Sequence, residues 1–293
     1  MAMAGGVYDC LRLITLFAFL LNAHGAAAVT FTFRNNCPET VWPATLTSSG
    51  PAFPTTGFAL APGASVSFPG VGATWSGRVW GRYRCTATAP GGARFSCESG
   101  DCGTGQVACG GAGGAPPATL AEFTLGGGAR DFYDVSNVDG FNLPVDIEPA
   151  AGGRCPRASC PADINRVCPS ELAAWKGGGG GGAVVGCKSA CLAFGTDEYC
   201  CRGRFASPAT CKPSGYSRLF KAQCPQAYSY AYDDGSSTFT CNGGWTTRSP
   251  SARAPGRARG ATPCPCCRSI TGRTCKRWVR VFMSKCPLGS EIS

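Results

Sequence analysis

Twenty-one cysteines constrain this chain more than any other feature, because what they can do depends on where the chain resides. In an oxidising compartment cysteines pair into staples, whereas in the cytosol the same residues point to metal ligands or redox sites. The N-terminus decides between the two. Leu13–Leu21 is an apolar run too short to cross about 30 Å of hydrocarbon. Small residues follow it at Ala26, Ala27 and Ala28, as a signal-peptidase site requires. Residues 1–28 are therefore expected to be a signal peptide cleaved after Ala28. The mature chain is expected to be secreted, with its cysteines structural.

That reading excludes several chemistries. The single histidine, His24, lies in the expected leader. A mature chain without histidine can build neither a Cys₂His₂ zinc site nor a Ser-His-Asp or Cys-His nucleophile. No metal and no cofactor are expected, and any catalysis falls to carboxylates. The net charge of +10 suggests nucleic acid or anionic membranes until it is located. Residues 29–241 hold 16 Lys and Arg against 15 Asp and Glu, and residues 242–293 hold 10 against one, Glu291. The globular part is nearly neutral, so no nucleic-acid partner is expected.

From Val29 onward, bulky and polar residues alternate in short runs, as in Val29–Phe33, Ser65–Phe68, Arg78–Arg82, Leu120–Leu125 and Phe132–Val135, each flanked by Gly or Pro. The expected class is mainly β: an antiparallel β-sandwich (a flattened barrel) with a disulfide-rich second lobe carrying short helices. The sandwich is expected over 29–154, completed by 225–245. Cysteines crowd residues 155–224, too short a stretch to fold on apolar burial alone. Gly177–Gly182 lacks the Lys-Ser/Thr of a phosphate loop and reads as a surface loop. Residues 246–293 are rich in Arg, Pro, Ala, Ser and Gly and read as a basic, disordered tail with little part in ligand binding.

Several blocks carry a specific resemblance: Trp75-Ser-Gly-Arg-Val-Trp-Gly-Arg-Tyr-Arg-Cys85, Phe95-Ser-Cys-Glu-Ser-Gly-Asp-Cys-Gly103, and Thr119-Leu-Ala-Glu-Phe-Thr-Leu125 leading into Asp131–Val145. Glu198-Tyr-Cys-Cys201 and Cys224-Pro-Gln-Ala-Tyr-Ser-Tyr-Ala-Tyr-Asp-Asp234 follow in the same order. Over Val29 to Cys241 the chain resembles the thaumatin-like (pathogenesis-related group 5) family. The resemblance implies the pairs Cys85–Cys97, Cys102–Cys109, Cys155–Cys241, Cys160–Cys224, Cys168–Cys187, Cys191–Cys200 and Cys201–Cys211. The family's last strand, ending Phe-Cys-Pro, is missing after Cys241. Trp278-Val-Arg-Val-Phe-Met-Ser-Lys-Cys-Pro287 faintly resembles it, displaced downstream. Either Cys286 substitutes as the partner of Cys37, or Cys37 lacks its usual partner.

The resemblance also implies an acidic cleft between two lobes, lined by Arg78, Glu122, Asp134, Asp139 and Asp233. Asp131 is left out, since residues three apart on one strand face opposite ways. Five such groups carry a charge of about −3 if all ionise, so at least one carboxyl should titrate high. Glu122 is then the candidate acid, Asp139 the candidate base or nucleophile, and Arg78 the group that tunes both, as glycoside hydrolysis requires. Tyr133, Phe141, Tyr228 and Tyr230 are candidates to stack on sugars, with core packing the alternative role. The resemblance implies a secreted, monomeric plant defence protein of the apoplast, with the vacuole as alternative. Its expected partner is β-1,3-glucan or the fungal cell wall, with the fungal membrane as a further target. Binding without turnover, weak endo-β-1,3-glucanase activity, and inhibition of a microbial xylanase all stay open.

Overall fold

A computed structural model describes residues 28–88, 94–127, 129–149, 155–178, 182–242 and 277–283. The leader expected over 1–28 lies outside the described residues apart from Ala28, as do 243–276 and 284–293.

Two sheets form the sandwich. One has the order β3 (Ser65–Val71), β1 (Val29–Asn35), β13 (Arg277–Met283), β8 (Val145–Pro149) and β9 (Ala158–Cys160). The other runs β12 (Phe239–Asn242), β7 (Arg130–Ser136), β6 (Leu120–Thr124), β4 (Ser76–Thr88) and β2 (Val41–Ser49), with β5 (Arg94–Ser99) paired to β4. The period-2 alternation explains which side chains each sheet buries. Phe31 and Phe33 of β1 are fully buried, and Phe31 meets Trp75 and Phe123 of the facing sheet edge-on, with centroids 5.3 and 5.1 Å apart. Phe53, Phe58 and Phe68 complete this aromatic core.

The expectation of a disordered tail over 246–293 fails at Arg277–Met283. These residues form β13, which sits between β1 and β8, parallel to β1 with Phe31 opposite Val279 and Phe33 opposite Val281. Val279, Val281 and Met283 are buried and Arg280 points out. The alternation was present in the sequence but embedded in a strongly basic segment, and its partner strand begins the fold. The sheet is consequently not wholly antiparallel, since β1 and β13 run the same way. No helix among the described residues is long and apolar enough to cross a membrane.

The second lobe holds the two-stranded sheet of β10 (Ala173–Trp175) and β11 (Val184–Cys187) and short helices. Helix α1 (Ala190–Phe194) starts at Ser189, whose hydroxyl accepts from Leu192 N, and stops at Gly195 in the left-handed region. Helix α2 (Asp197–Cys200) follows it. Helix α3 (Gly215–Gln223) is capped in the same way by Ser214 and buries Ser217 and Phe220. All seven implied disulfides are present, from Cys85–Cys97 to Cys201–Cys211. Cys155–Cys241 and Cys160–Cys224 tie this lobe to the sandwich. Cys37 is also in a disulfide, and since every other described cysteine belongs to one of the seven, its partner lies outside the described residues.

Candidate functional site

Strand alternation builds the site. On β4, Val79 and Tyr83 face the core, so Arg78, Trp80 and Arg82 face outward. On β6, Ala121 and Phe123 face in and Glu122 faces out; on β7, Tyr133 and Val135 face in and Asp134 faces out. Register then aligns them, with Arg78 opposite Glu122 and Glu122 opposite Asp134. One guanidinium and two carboxyls thus form a single rung across three strands. Directly opposed side chains have Cβ atoms about 5 Å apart.

Loops cover the rest of this outer face. Trp80 and Leu120 are buried beneath them with Ala118 and Cys109. The covering segment passes close over β4. A Cβ on Gly114 would lie 2.4 Å from Trp80 Nε1, and one on Gly113 would press on Arg78 Nη2 at 3.2 Å. Asp139 enters from the turn after β7, anchored by Gly140 N donating to Asn137 O and Ala118 N donating to Asp139 O. Gly140 has φ +85°, and a Cβ there would strike Cys187 O at 2.6 Å, so only glycine fits this turn.

The result is an open cleft of about 420 Å³ lined by Arg78, Glu122, Asp134, Asp139, Tyr228 and Asp234, among others. Arg78 Nη1 lies 3.9 Å from Asp139 Oδ2. Burial pushes the Glu122 carboxyl above its ordinary range; Arg78 opposes this and Asp139 adds to it. Asp134 is pushed up to about 8, by burial first and then by Glu122 and Asp234. Its Oδ1 is buried and makes no hydrogen bond with the described protein. At neutral pH the Glu122–Asp134 pair therefore holds a proton, available to a ligand oxygen. The Tyr228 hydroxyl donates to Asp234 Oδ1 at 2.8 Å, and burial chiefly raises its pKa to about 12. Among the described residues, no cluster of three or more His, Cys, Asp or Glu side chains is placed to hold a metal ion.

Four of the five expected residues meet here, and Asp233 does not. Its Oδ2 accepts from Ser229 N at 3.0 Å and Ser229 Oγ at 2.8 Å, and pairs with Lys221 Nζ at 2.9 Å. Asp233 precedes helix α4 (Asp234–Ser237), and the change of direction there sends its carboxyl toward Lys221 while Asp234 faces the cleft. Sequence reasoning passed over Asp234, whose only signal was adjacency to Asp233. Asp131 is fully buried and accepts from Gly126 N, on the face opposite Asp134. Of the four aromatic candidates, Tyr133 and Phe141 are core residues, Tyr228 lines the cleft and Tyr230 lines a smaller cavity beside it.

Comparison with known proteins gives the site its context. The sequence profile of the Thaumatin family matches residues 35–248. "Thaumatin-like protein 1" of Pyrus pyrifolia is 55% identical over 236 residues, covering 79% of this chain and 94% of that protein. A Prunus avium protein named "Glucan endo-1,3-beta-glucosidase" is 52% identical over 234 residues, covering 79% of this chain and 93% of its own length. A solved thaumatin-like xylanase inhibitor is 32% identical and covers 44% of this chain and 80% of that one, at a TM-score of 0.37, an overlap that carries no functional argument. The family match takes in most of the sandwich, the whole disulfide-rich lobe and every cleft residue, and the chain belongs to the thaumatin family.

Proposed function

We propose that this thaumatin-family member is a secreted defence protein that binds β-1,3-glucan of fungal walls in the acidic cleft. The observation that carries this reading is the Arg78–Glu122–Asp134 rung, open to solvent and flanked by Asp139, Asp234 and Tyr228. A glucan is uncharged and rich in hydroxyls. Carboxylates accept from those hydroxyls, and a charge-assisted bond of this kind is worth about 1.5–3 kcal/mol. Arg78 donates and limits the repulsion among the acids. The Prunus avium relative's name points to the same class of polysaccharide. Disulfide density suits an extracellular protein.

A second reading, slow hydrolysis of the same glucan, is favoured by Asp134, whose carboxyl is held up to about 8. The Glu122–Asp134 pair would protonate the glycosidic oxygen as its bond to the anomeric carbon breaks. Asp139, beside Arg78, would activate water or attack that carbon. The acid role assigned to Glu122 from sequence is then shared with Asp134.

Curdlan pull-down and laminarin calorimetry test the cleft, and reducing-sugar release from laminarin separates the two readings. A binder should release no sugar and lose about tenfold or more in affinity on Glu122→Gln. A hydrolase should lose turnover in Glu122→Gln and Asp139→Asn and keep most of its affinity. Wild-type affinity in the triple change at 122, 139 and 234 would rule out the cleft as the site.

A further inference from the structure

A second cavity, about 50 Å³, lies in the disulfide-rich lobe beside the cleft. Val138 and Ala231 line both spaces, so they are neighbours along one surface. Tyr199 and Tyr216 line the smaller one. With Phe194 they form a three-ring cluster, with centroids 5.5 Å apart for Phe194–Tyr199, 5.3 Å for Phe194–Tyr216 and 5.9 Å for Tyr199–Tyr216.

Tyr216 packs at the margin of the main core, but the cluster as a whole reaches solvent. Phe194 is 40% exposed, and Tyr199 and Tyr216 are partly exposed. They are nonetheless firmly held. The Cys191–Cys200 bridge joins α1 to α2, and caps at Ser189 and Ser214 set the helix starts on either side. A rigid, partly wet aromatic surface costs little ordering entropy when a ligand arrives. Its rim is polar, with the Tyr216 hydroxyl donating to Glu171 Oε1 at 3.0 Å. A pyranose has apolar C–H faces edged by hydroxyls. Ring faces complement the first, and the rim complements the second.

Resting on the β-1,3-glucan reading, the geometry points to a second carbohydrate subsite. The Phe194, Tyr199 and Tyr216 rings take the part of a β-1,3-glucan chain that leaves the acidic cleft past Val138 and Ala231. The preferred ligand is then a polymer long enough to occupy both places. A chain held in the cleft presents its continuation to the rings at high effective concentration, so affinity grows with chain length.

Calorimetry of the full chain with laminari-oligosaccharides of increasing length tests this. Wild type should bind more tightly as the chain lengthens. Phe194→Ala/Tyr199→Ala should match wild type on the shortest ligands, which also serves as the check on folding, and lose about tenfold, or ~1.4 kcal/mol, on the longest. Tyr216→Phe, which keeps the ring and removes only the rim hydroxyl, should lose less long-chain affinity than the double variant. Glu122→Gln should weaken binding at every length. Wild-type affinity for the longest chains in the double variant would overturn the subsite and leave the cleft reading intact. Equal loss at every length would place the rings in the fold and overturn it too. No binding of any length by wild type would remove both readings.

Discussion

Asp134 offers a direct test of the cleft's electrostatics. Burial, then Glu122 and Asp234, hold its carboxyl at about 8 against an ordinary 3.8. Because the native value lies above the unfolded one, this group's stabilising contribution is fully present below about pH 4 and is lost as pH rises through 8. Between those limits the native chain carries one proton more than the unfolded chain, so stability falls by about 1.4 kcal/mol per pH unit. The whole window sets a ceiling of about 6 kcal/mol. Water in an open cleft lowers this to on the order of 2–3 kcal/mol. Asp134→Asn preserves the size and neutrality of the protonated form and removes the titration. Guanidinium unfolding with the disulfides intact, from about pH 4.5 to about pH 9, should show the two proteins alike at the acid end. At the alkaline end the variant should be more stable by on the order of 2–3 kcal/mol. A wild-type-minus-variant difference that stays flat across this range would refute an uncharged Asp134 in the native cleft.

Two further predictions concern β13 and the Asp233–Asp234 pair. Truncation after Trp245 removes the buried Val279, Val281 and Met283, each worth about 1.5–3 kcal/mol, a loss comparable to the whole stability of an ordinary domain. The truncated chain should show no cooperative thermal transition, and a native-like melt would contradict the central place of β13. Asp233→Ala should cost on the order of 2 kcal/mol by leaving Lys221 short of a partner, with glucan affinity within about twofold of wild type. Asp234→Asn should do the opposite in the same pair of assays, and a reversed result would return Asp233 to the site.

What could be read from the sequence follows from how local each signal was. Arg78, Glu122 and Asp134 were named through the family resemblance, and strand alternation, complete within five to thirteen residues, explains why they share one face while Asp131 does not. The bridges came from the family resemblance, and no spacing argument would have yielded them. Asp233 and Asp234 sit where loop turns into helix, and there alternation has no force. Asp233 is claimed by Lys221, which α3 brings in, and Asp234 by the Tyr228 hydroxyl at the cleft. β13 drew two readings: the resemblance picked out Trp278–Pro287 as the displaced last strand, while the basic composition of 246–293 spoke for disorder. Over Arg277–Met283 the strand is what forms. Its hydrogen-bonding partner, β1, lies at the other end of the sandwich's sequence, and no local pattern could supply that pairing.

The place of β13 also orders events in time. Synthesis makes the middle of this sheet last. Before Arg277–Met283 leave the ribosome, β3 with β1 and β8 with β9 can exist only as separate two-stranded ribbons, and such ribbons are marginal in water. The nascent chain therefore presents two unfilled edges to the same slot, one on β1 and one on β8, and either can template a wrong partner. Insertion of the final strand fills both at once, so a chain that stops early has no means of closing this half of the sandwich.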